Sequence, residues 1–208
     1  DPLIRRKLQR IEHDGHARFL TFSCYQRLPL FQNDAIKQLF VNQLNQIRIE
    51  LDIHLYAWVV MPNHVHLLVM CDGETTIGKF LHRLKRPFAE RVIRRWRELN
   101  APILDRIKHK SGFRFWQTGG GYDRNIYSGN ELIEKANYIH ENPVRRGLAK
   151  TSNDYEWSSA RFFDGLDAKL NVILAELVNP NFCVGAAQVS EYRDLWHPDR
   201  LHFMDIVL

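Results

Sequence analysis

The sequence predicts an α+β domain of the ferredoxin-like, split β-α-β kind: an antiparallel sheet backed by helices, followed by a C-terminal accessory tail. Three observations carry this. Apolar or alternating stretches at 18–27, 54–60 and 64–71 read as strands. The last two are joined by Met-Pro-Asn, a tight connection that suits an antiparallel hairpin. Helical periodicities fall around them in the order strand, helix, strand, strand, helix, strand, helix. At 208 residues, 45% hydrophobic and 12% aromatic, the chain can fill one ordinary core.

Each element has its own warrant. Arg18 to Arg27 (RFLTFSCYQR) alternates Phe19, Thr21 and Ser23 against Leu20, Phe22 and Cys24. From Asp34, a good N-cap, DAIKQLFVNQLNQIRIEL repeats apolar residues at a helical period. HLYAWVV and HVHLLVMC are the hairpin strands; Pro62 ends the first ladder and Asn63 tolerates turn geometry. Thr75 or Thr76 caps a helix to about Leu99, which Pro87 kinks or divides. Arg114 to Gln117 (RFWQ) resembles the start of a strand, and TGGGYDRNIYSGN is a bend that resumes extended structure. ELIEKANYIHE is the last clear helix, ended at Asn142-Pro143 because a residue before proline resists the helical region. Beyond Gly147 periodicity is weak, with one helix expected at 167–178.

Charge divides the chain more sharply than its overall +5 suggests. Residues 1–150 hold 25 Lys/Arg against 15 Asp/Glu, whereas 151–208 hold 4 against 9. The first part suits a polyanion and the tail does not. Within 79–97 (KFLHRLKRPFAERVIRRWR), eight basic residues face one Glu. A solvated helix face is the bland account of such a run; contact with nucleic-acid phosphates accounts better for so lopsided a ratio. No stretch approaches the ~18 uncharged apolar residues of a membrane span. The basic N-terminus lacks the apolar run of a secretory signal, and the absent initial Met suggests a trimmed beginning. Three scattered cysteines form no C-x-x-C pair, which argues against a zinc knuckle.

MPNHVHLLV places His64 and His66 in an otherwise apolar strand. Alternation points both to one face, about 7 Å apart along the backbone, able to pinch one cation or one phosphate. Alone, H-x-H also fits two core histidines satisfied by neighbouring backbone, or a pair of surface rim residues. A second constellation lies in NYIHENPVRRGL. Leu132, Ile133, Ala136, Ile139 and His140 share the apolar sector of that helix, and Tyr138 falls outside it beside Glu134, Lys135, Glu141 and Asn142. At i, i+4, Tyr138 and Asn142 stack on one face, a nucleophile beside a possible metal ligand. An exposed tyrosine before a helix-ending Asn-Pro is the plain alternative. His140 reads as a packing histidine, and Trp157 as an anchor for the chain after the helix. Tyr122 and Tyr127 are rival nucleophiles. Gly119-Gly120-Gly121 is no P-loop, since no Gly-Lys-Ser/Thr follows; it reads as a hinge or a close backbone approach.

AWVVMPNHVHLLV, FWQ, YIHENPVRRGLA and DYEWSS, in that order, resemble the REP-associated tyrosine transposases, bacterial relatives of the single-tyrosine HUH transposases. The resemblance covers about residues 14–163, so 1–163 would be the transposase domain and 164–208 an acidic segment packed on it. It implies the ferredoxin-like layer, and enzymes that cut single-stranded DNA at or beside a hairpin and hold the 5′ phosphate on tyrosine. On that resemblance His64, His66 and Asn142 would bind Mg²⁺ or Mn²⁺, and Tyr138 would be the nucleophile. Such a protein would be bacterial, cytoplasmic and nucleoid-associated, acting as monomer or homodimer. The glycine-rich loop and the acidic segment depart from compact relatives.

The residue types suit that chemistry. A phosphodiester repels nucleophiles until a cation neutralises its developing charge. Two imidazoles and an amide oxygen suit Mn²⁺ and can accept Mg²⁺. A phenol, with a free pKa near ~10, attacks poorly until deprotonated. Once formed, phosphotyrosine conserves the bond so that a 3′ hydroxyl can reverse the step. Arg83, Lys85, Arg86, Arg91, Arg94 and Arg95 are the first choices for DNA-backbone contacts, with Arg145 and Arg146 beside the site. Two rival readings stay open: a domesticated hairpin DNA or RNA binder that does not cut, and a metallohydrolase that activates water at H-x-H.

Overall fold

The structure is a computed structural model and describes residues 16–71, 75–110, 112–119 and 121–172. Four strands, β1 (Arg18–Ser23), β2 (Ile53–Met61), β3 (His64–Cys71) and a later one at Tyr122–Asn125, form an antiparallel sheet. Two short strands, β4 (Lys108–His109) and β5 (Gly112–Phe113), pair separately, which makes the later sheet strand β6. The sheet order is β2-β3-β1-β6. That is the ferredoxin-like arrangement expected from the element order, with β3 inserted between β1 and β2.

Helices α1 (Asp34–Glu50) and α2 (Ile77–Glu98) cover one face of the sheet. Their Phe40, Leu44, Phe80, Leu84 and Phe88 bury against Leu20, Phe22, Val65 and Leu67. The opposite face carries Phe19, Val59, Met61 and Leu68, on which α4 (Gly129–Arg145) lays Leu132, Ala136 and Ile139. A short α3 (Ile103–Ile107) precedes β4, and α5 (Ala160–Phe163) closes the described chain. Strand alternation thus sorts β1 and β3 into two cores, and the histidines go with the α4 side.

Several expectations change in detail. Helix α1 is capped by Asn33, whose side chain accepts from the Ala35 N–H, and Asp34 opens the first turn. Thr76 caps α2, which continues through Pro87 without dividing. The fourth sheet strand is not RFWQ, where Trp116 makes one bridge, to Cys24, but YDRN, in the stretch expected to resume extended structure after the bend. Four residues suffice because the buried Arg18–Asp123 pair, at 2.7 Å, fastens β6 to β1. Helix α4 does not stop at Asn142; it runs through Pro143 to Arg145, since burial of Asn142 and Pro143 outweighs the local preference before proline.

After α4 the chain returns to the free edge of β2. Val59 bridges to Ser158, Trp157 enters the core, and Ser159 Oγ accepts from the Trp58 N–H at 3.0 Å. Leu170 and Val172 join the same core, so the segment after 163 packs on the domain as far as it is described. Residues 167–172 are not helical. The remainder of the expected 167–178 helix and Cys183 lie outside the described residues.

Candidate active site

Pro62 and Asn63 turn the chain directly into β3, so His64 and His66 emerge at the mouth of the hairpin. Each ring is held at Nδ1 by a side-chain oxygen. His64 Nδ1 donates to Asn63 Oδ1 at 2.6 Å, and His66 Nδ1 lies 2.7 Å from Thr21 Oγ1, opposite it in the β1–β3 register. The two Nε2 atoms face each other at 3.1 Å. Asn142 reaches across from α4, and its Nδ2 donates to His66 Nε2 at 3.2 Å. An Nε2 that accepts carries no proton, so His66 gives its Nδ1 proton to Thr21, as His64 does to Asn63. Two nitrogen lone pairs therefore converge on one point.

Burial keeps both rings neutral. It pushes His64 down to about 4, helped by the Arg146 and Arg27 charges and opposed by the Asn142 side chain. It pushes His66 down to about 3, with His64 and then Arg146 adding. Neutral imidazoles are the ligating form.

The same residues fit a divalent cation. Asn142 is 4% exposed and its Oδ1 is buried without a hydrogen-bond partner, an omission worth about 1–3 kcal/mol unless something accepts it. That orphan oxygen belongs to the same amide whose Nδ2 reaches His66 Nε2. Among the described residues no group of three His, Cys, Asp or Glu is arranged to hold a metal, so a cation at this point would have to take any third protein donor from an amide. Asn142 thus faces inward, toward His66.

Tyr138 borders this point. Its ring stands edge-on to His66 at 5.6 Å and to Phe19 at 5.8 Å, and 37% of its surface is exposed. Because α4 continues past Pro143, Arg145 falls two turns beyond Tyr138, and its guanidinium lies 5.3 Å from the ring centre. Arg146 caps the helix near enough to repel protons from both histidines. His64, His66, Tyr138, Asn142, Arg145 and Arg146 thus share one corner. Among the described residues, Tyr138 is the tyrosine whose ring meets His66; Tyr122 and Tyr127 are exposed on and after β6. His140 is fully enclosed and bonded through Nε2 to Ser159 Oγ at 2.8 Å, a packing role.

The basic residues of α2 lie on the other side of the sheet. Arg83 pairs with Glu50 at 2.5 Å, Arg86 with Glu90 at 2.9 Å and Arg95 with Glu98 at 3.1 Å. Lys85 turns inward, its Nζ 5.0 Å from the Phe22 ring centre and 5.4 Å from that of Trp116. Arg91 and Arg94 are exposed and line a groove between α1 and α2 with Ile36, Leu39 and Trp96.

Three residues of the site escape a reading of the sequence. Thr21 orients His66 only because of strand register. Asn63 serves as an anchor as well as a turn residue, its Nδ2 donating to the Arg27 carbonyl at 3.3 Å. Arg27 sits in left-handed backbone, φ 55°, beside Gln26 at 51°. The adjacency of Asn63 to His64 is the one available signal.

A family model described as IS200-like transposase matches residues 15–142, well over half the chain. This chain belongs to the IS200-like transposase family. Its fold is that of a REP-associated tyrosine transposase solved bound to a REP hairpin: 18% identity, TM-score 0.58, with 82% of this chain and 92% of that one covered. A solved structure described as a transposase from Deinococcus radiodurans R1 aligns at 19% identity over 64% of this chain and 95% of that one, with a TM-score of 0.42. No curated protein matches. Among the described residues, no helix of this family member is long and apolar enough to cross a membrane.

Proposed function

We propose that this transposase nicks and rejoins hairpin-bearing single-stranded DNA through a 5′-phosphotyrosine on Tyr138, as a member of the REP-associated class. The observation that carries the reading is the meeting of Tyr138 and His66, 5.6 Å between ring centres, with Asn142 of the same helix bonded to that histidine. Membership of the family supports transposition, and the fold shared with a hairpin-bound transposase supports the substrate.

His64, His66 and Asn142 would hold Mg²⁺ or Mn²⁺, which when bound polarises a phosphate oxygen and offsets developing charge. Thr21 and Asn63 keep the two Nε2 lone pairs aimed at one place, so ligation needs no rotation of either ring. The Tyr138 oxygen attacks phosphorus, its proton passing to solvent. The P–O3′ bond breaks, the 3′ oxygen takes a proton, and the 5′ phosphate stays on tyrosine. Arg145 fixes the phenol ring, and Arg146 adds positive charge where the phosphate arrives. Attack by a 3′ hydroxyl on that phosphotyrosine reverses the sequence and rejoins strands.

Labelled hairpin-bearing single strands incubated with Mn²⁺ or Mg²⁺ are expected to give a covalent adduct that survives denaturing gels and disappears in Tyr138→Phe. An adduct undiminished by that substitution means another nucleophile. Hairpin binding without any adduct, in wild type and with metal, leaves a binder that does not cut.

A further inference from the structure

The β6 edge of the active-site face of the sheet is left exposed. Helix α4 packs on Phe19 and lies chiefly over β2 and β3, and the β6 edge carries Tyr122 and Arg124, side chains that the chemistry above leaves unused. Register fixes their side. Thr21 pairs with Tyr122 and Phe19 with Arg124, and opposite residues of an antiparallel pair point the same way. Tyr122 and Arg124 therefore stand on the histidine face. Phe19 is the hub: its ring stacks on His66 at 5.5 Å and meets Tyr138 edge-on at 5.8 Å and Tyr122 at 5.9 Å.

Tyr122 is 53% exposed and yet held. Its ring leans edge-on against the buried Phe19, while Arg124 pairs with Glu131 at 2.6 Å and Glu131 in turn accepts from the Tyr127 N–H at 3.0 Å. A solvent-facing tyrosine ordinarily loses side-chain freedom on meeting a partner; this one has lost much of it already. The charge nearby also suits a phosphodiester chain. Arg27, Arg145 and Arg146 are exposed around the site, and the neighbouring acids are engaged, Glu131 by Arg124 and Glu134 by Lys135 at 2.5 Å.

We propose that the exposed β6 edge of the sheet seats the unpaired nucleotides contiguous with the scissile phosphate, with one base stacked on the Tyr122 ring. The occupant is single-stranded DNA: a flat, exposed and pre-oriented aromatic accepts any base, whereas a duplex buries the base faces it would need. This rests on the reading of Tyr138 as the nucleophile and extends it by stating where the strand runs.

The test is a double-mutant cycle on binding, which needs no cleavage. Wild type, Tyr122→Ala, Tyr122→Phe and Tyr138→Phe are titrated with a stem-loop DNA bearing a dT extension of about six nucleotides, and with the same DNA made abasic one extension position at a time. Wild type is expected to lose roughly tenfold in affinity at one abasic position. Tyr122→Ala loses a similar factor with the intact extension and nothing further at that position, while Tyr122→Phe and Tyr138→Phe bind like wild type. Additive losses, or an unchanged Tyr122→Ala, overturn the proposal. Loss in Tyr122→Phe equal to that in Tyr122→Ala overturns it too, since the hydroxyl rather than the ring would matter. Because Tyr138→Phe still binds, failure of the nucleophile assignment shows in the adduct assay alone. Thermal melting of each variant separates a stacking loss from misfolding.

Discussion

An imidazole in a strand can rotate about χ2 and carry its proton on either nitrogen, so two histidines on one face do not yet make a site. The Asn63 and Thr21 oxygens settle both choices. Thr21→Val removes the partner of His66 Nδ1 with little change in volume. It is expected to weaken Mn²⁺ binding by about 10–100-fold, with Thr21→Ser restoring most of it; calorimetric titration measures both, and equal affinities would deny Thr21 this part. His140 makes a contrasting case, its pKa pushed from the ordinary 6.5 down to about 3 by burial alone. Below pH 6.5 the unfolded chain takes up a proton that the folded one refuses until about 3. Stability from this group is complete above 6.5 and is withdrawn as pH falls through that window, at up to about 1.4 kcal/mol per pH unit. His140→Gln keeps a partner for Ser159 and should lower the slope of urea-derived stability against pH by nearly one proton. An unaltered slope assigns the acid sensitivity elsewhere.

At the scale of elements, legibility follows locality. The H-x-H pair is readable because alternation alone puts both rings on one face, and Tyr138 with Asn142 because i, i+4 is a helical neighbour relation. What needs tertiary information is not. Helix α4 passes through Pro143 because Asn142 and Pro143 are buried against the sheet, and that extension is what brings Arg145 over Tyr138. RFWQ has the aromatics of a strand, yet YDRN takes the edge of the sheet through a buried ion pair that no periodicity announces. Gly121 joins this strand to the site. Its φ is +71°, and an added Cβ would stand 2.1 Å from the Thr21 carbonyl oxygen, so glycine is required twice over. Gly147, at φ +67°, meets nothing within 4 Å. Gly147→Ala is expected to cost only the left-handed term, about 1–2 kcal/mol. Gly121→Ala should cost more and also weaken Mn²⁺ binding, because the backbone it displaces holds Thr21 against His66. Melting temperature together with metal titration distinguishes the two; equal effects would sever Gly121 from the site.

Across the whole molecule the sheet works as a partition. One face holds the histidines, Tyr138 and the end of α4; the other is shut by α1 and α2, whose outer surface carries the densest positive charge. The composition of 79–97 is legible as a polyanion surface, but its position relative to the tyrosine is not, because the side of the sheet that each helix takes is a topological property. A DNA hairpin engaging both would have to pass around an edge of the sheet, its single strand at the site and its stem near α2. The α2 cations are not equivalent there. Arg83, Arg86 and Arg95 already have carboxylate partners and Lys85 is turned onto Phe22 and Trp116, which leaves Arg91 and Arg94 the better placed for phosphates. If both meet the stem, Arg91→Gln with Arg94→Gln lowers the slope of log affinity against log salt by about 0.9 for each phosphate no longer neutralised. Adduct yield at saturating DNA should then stay near wild type, since neither side chain approaches Tyr138. Arg145→Ala is expected to do the reverse, reducing the yield with a smaller change in slope. A double variant with the wild-type salt slope would show that the stem does not lie on α2, and that its positive charge serves some partner other than this DNA.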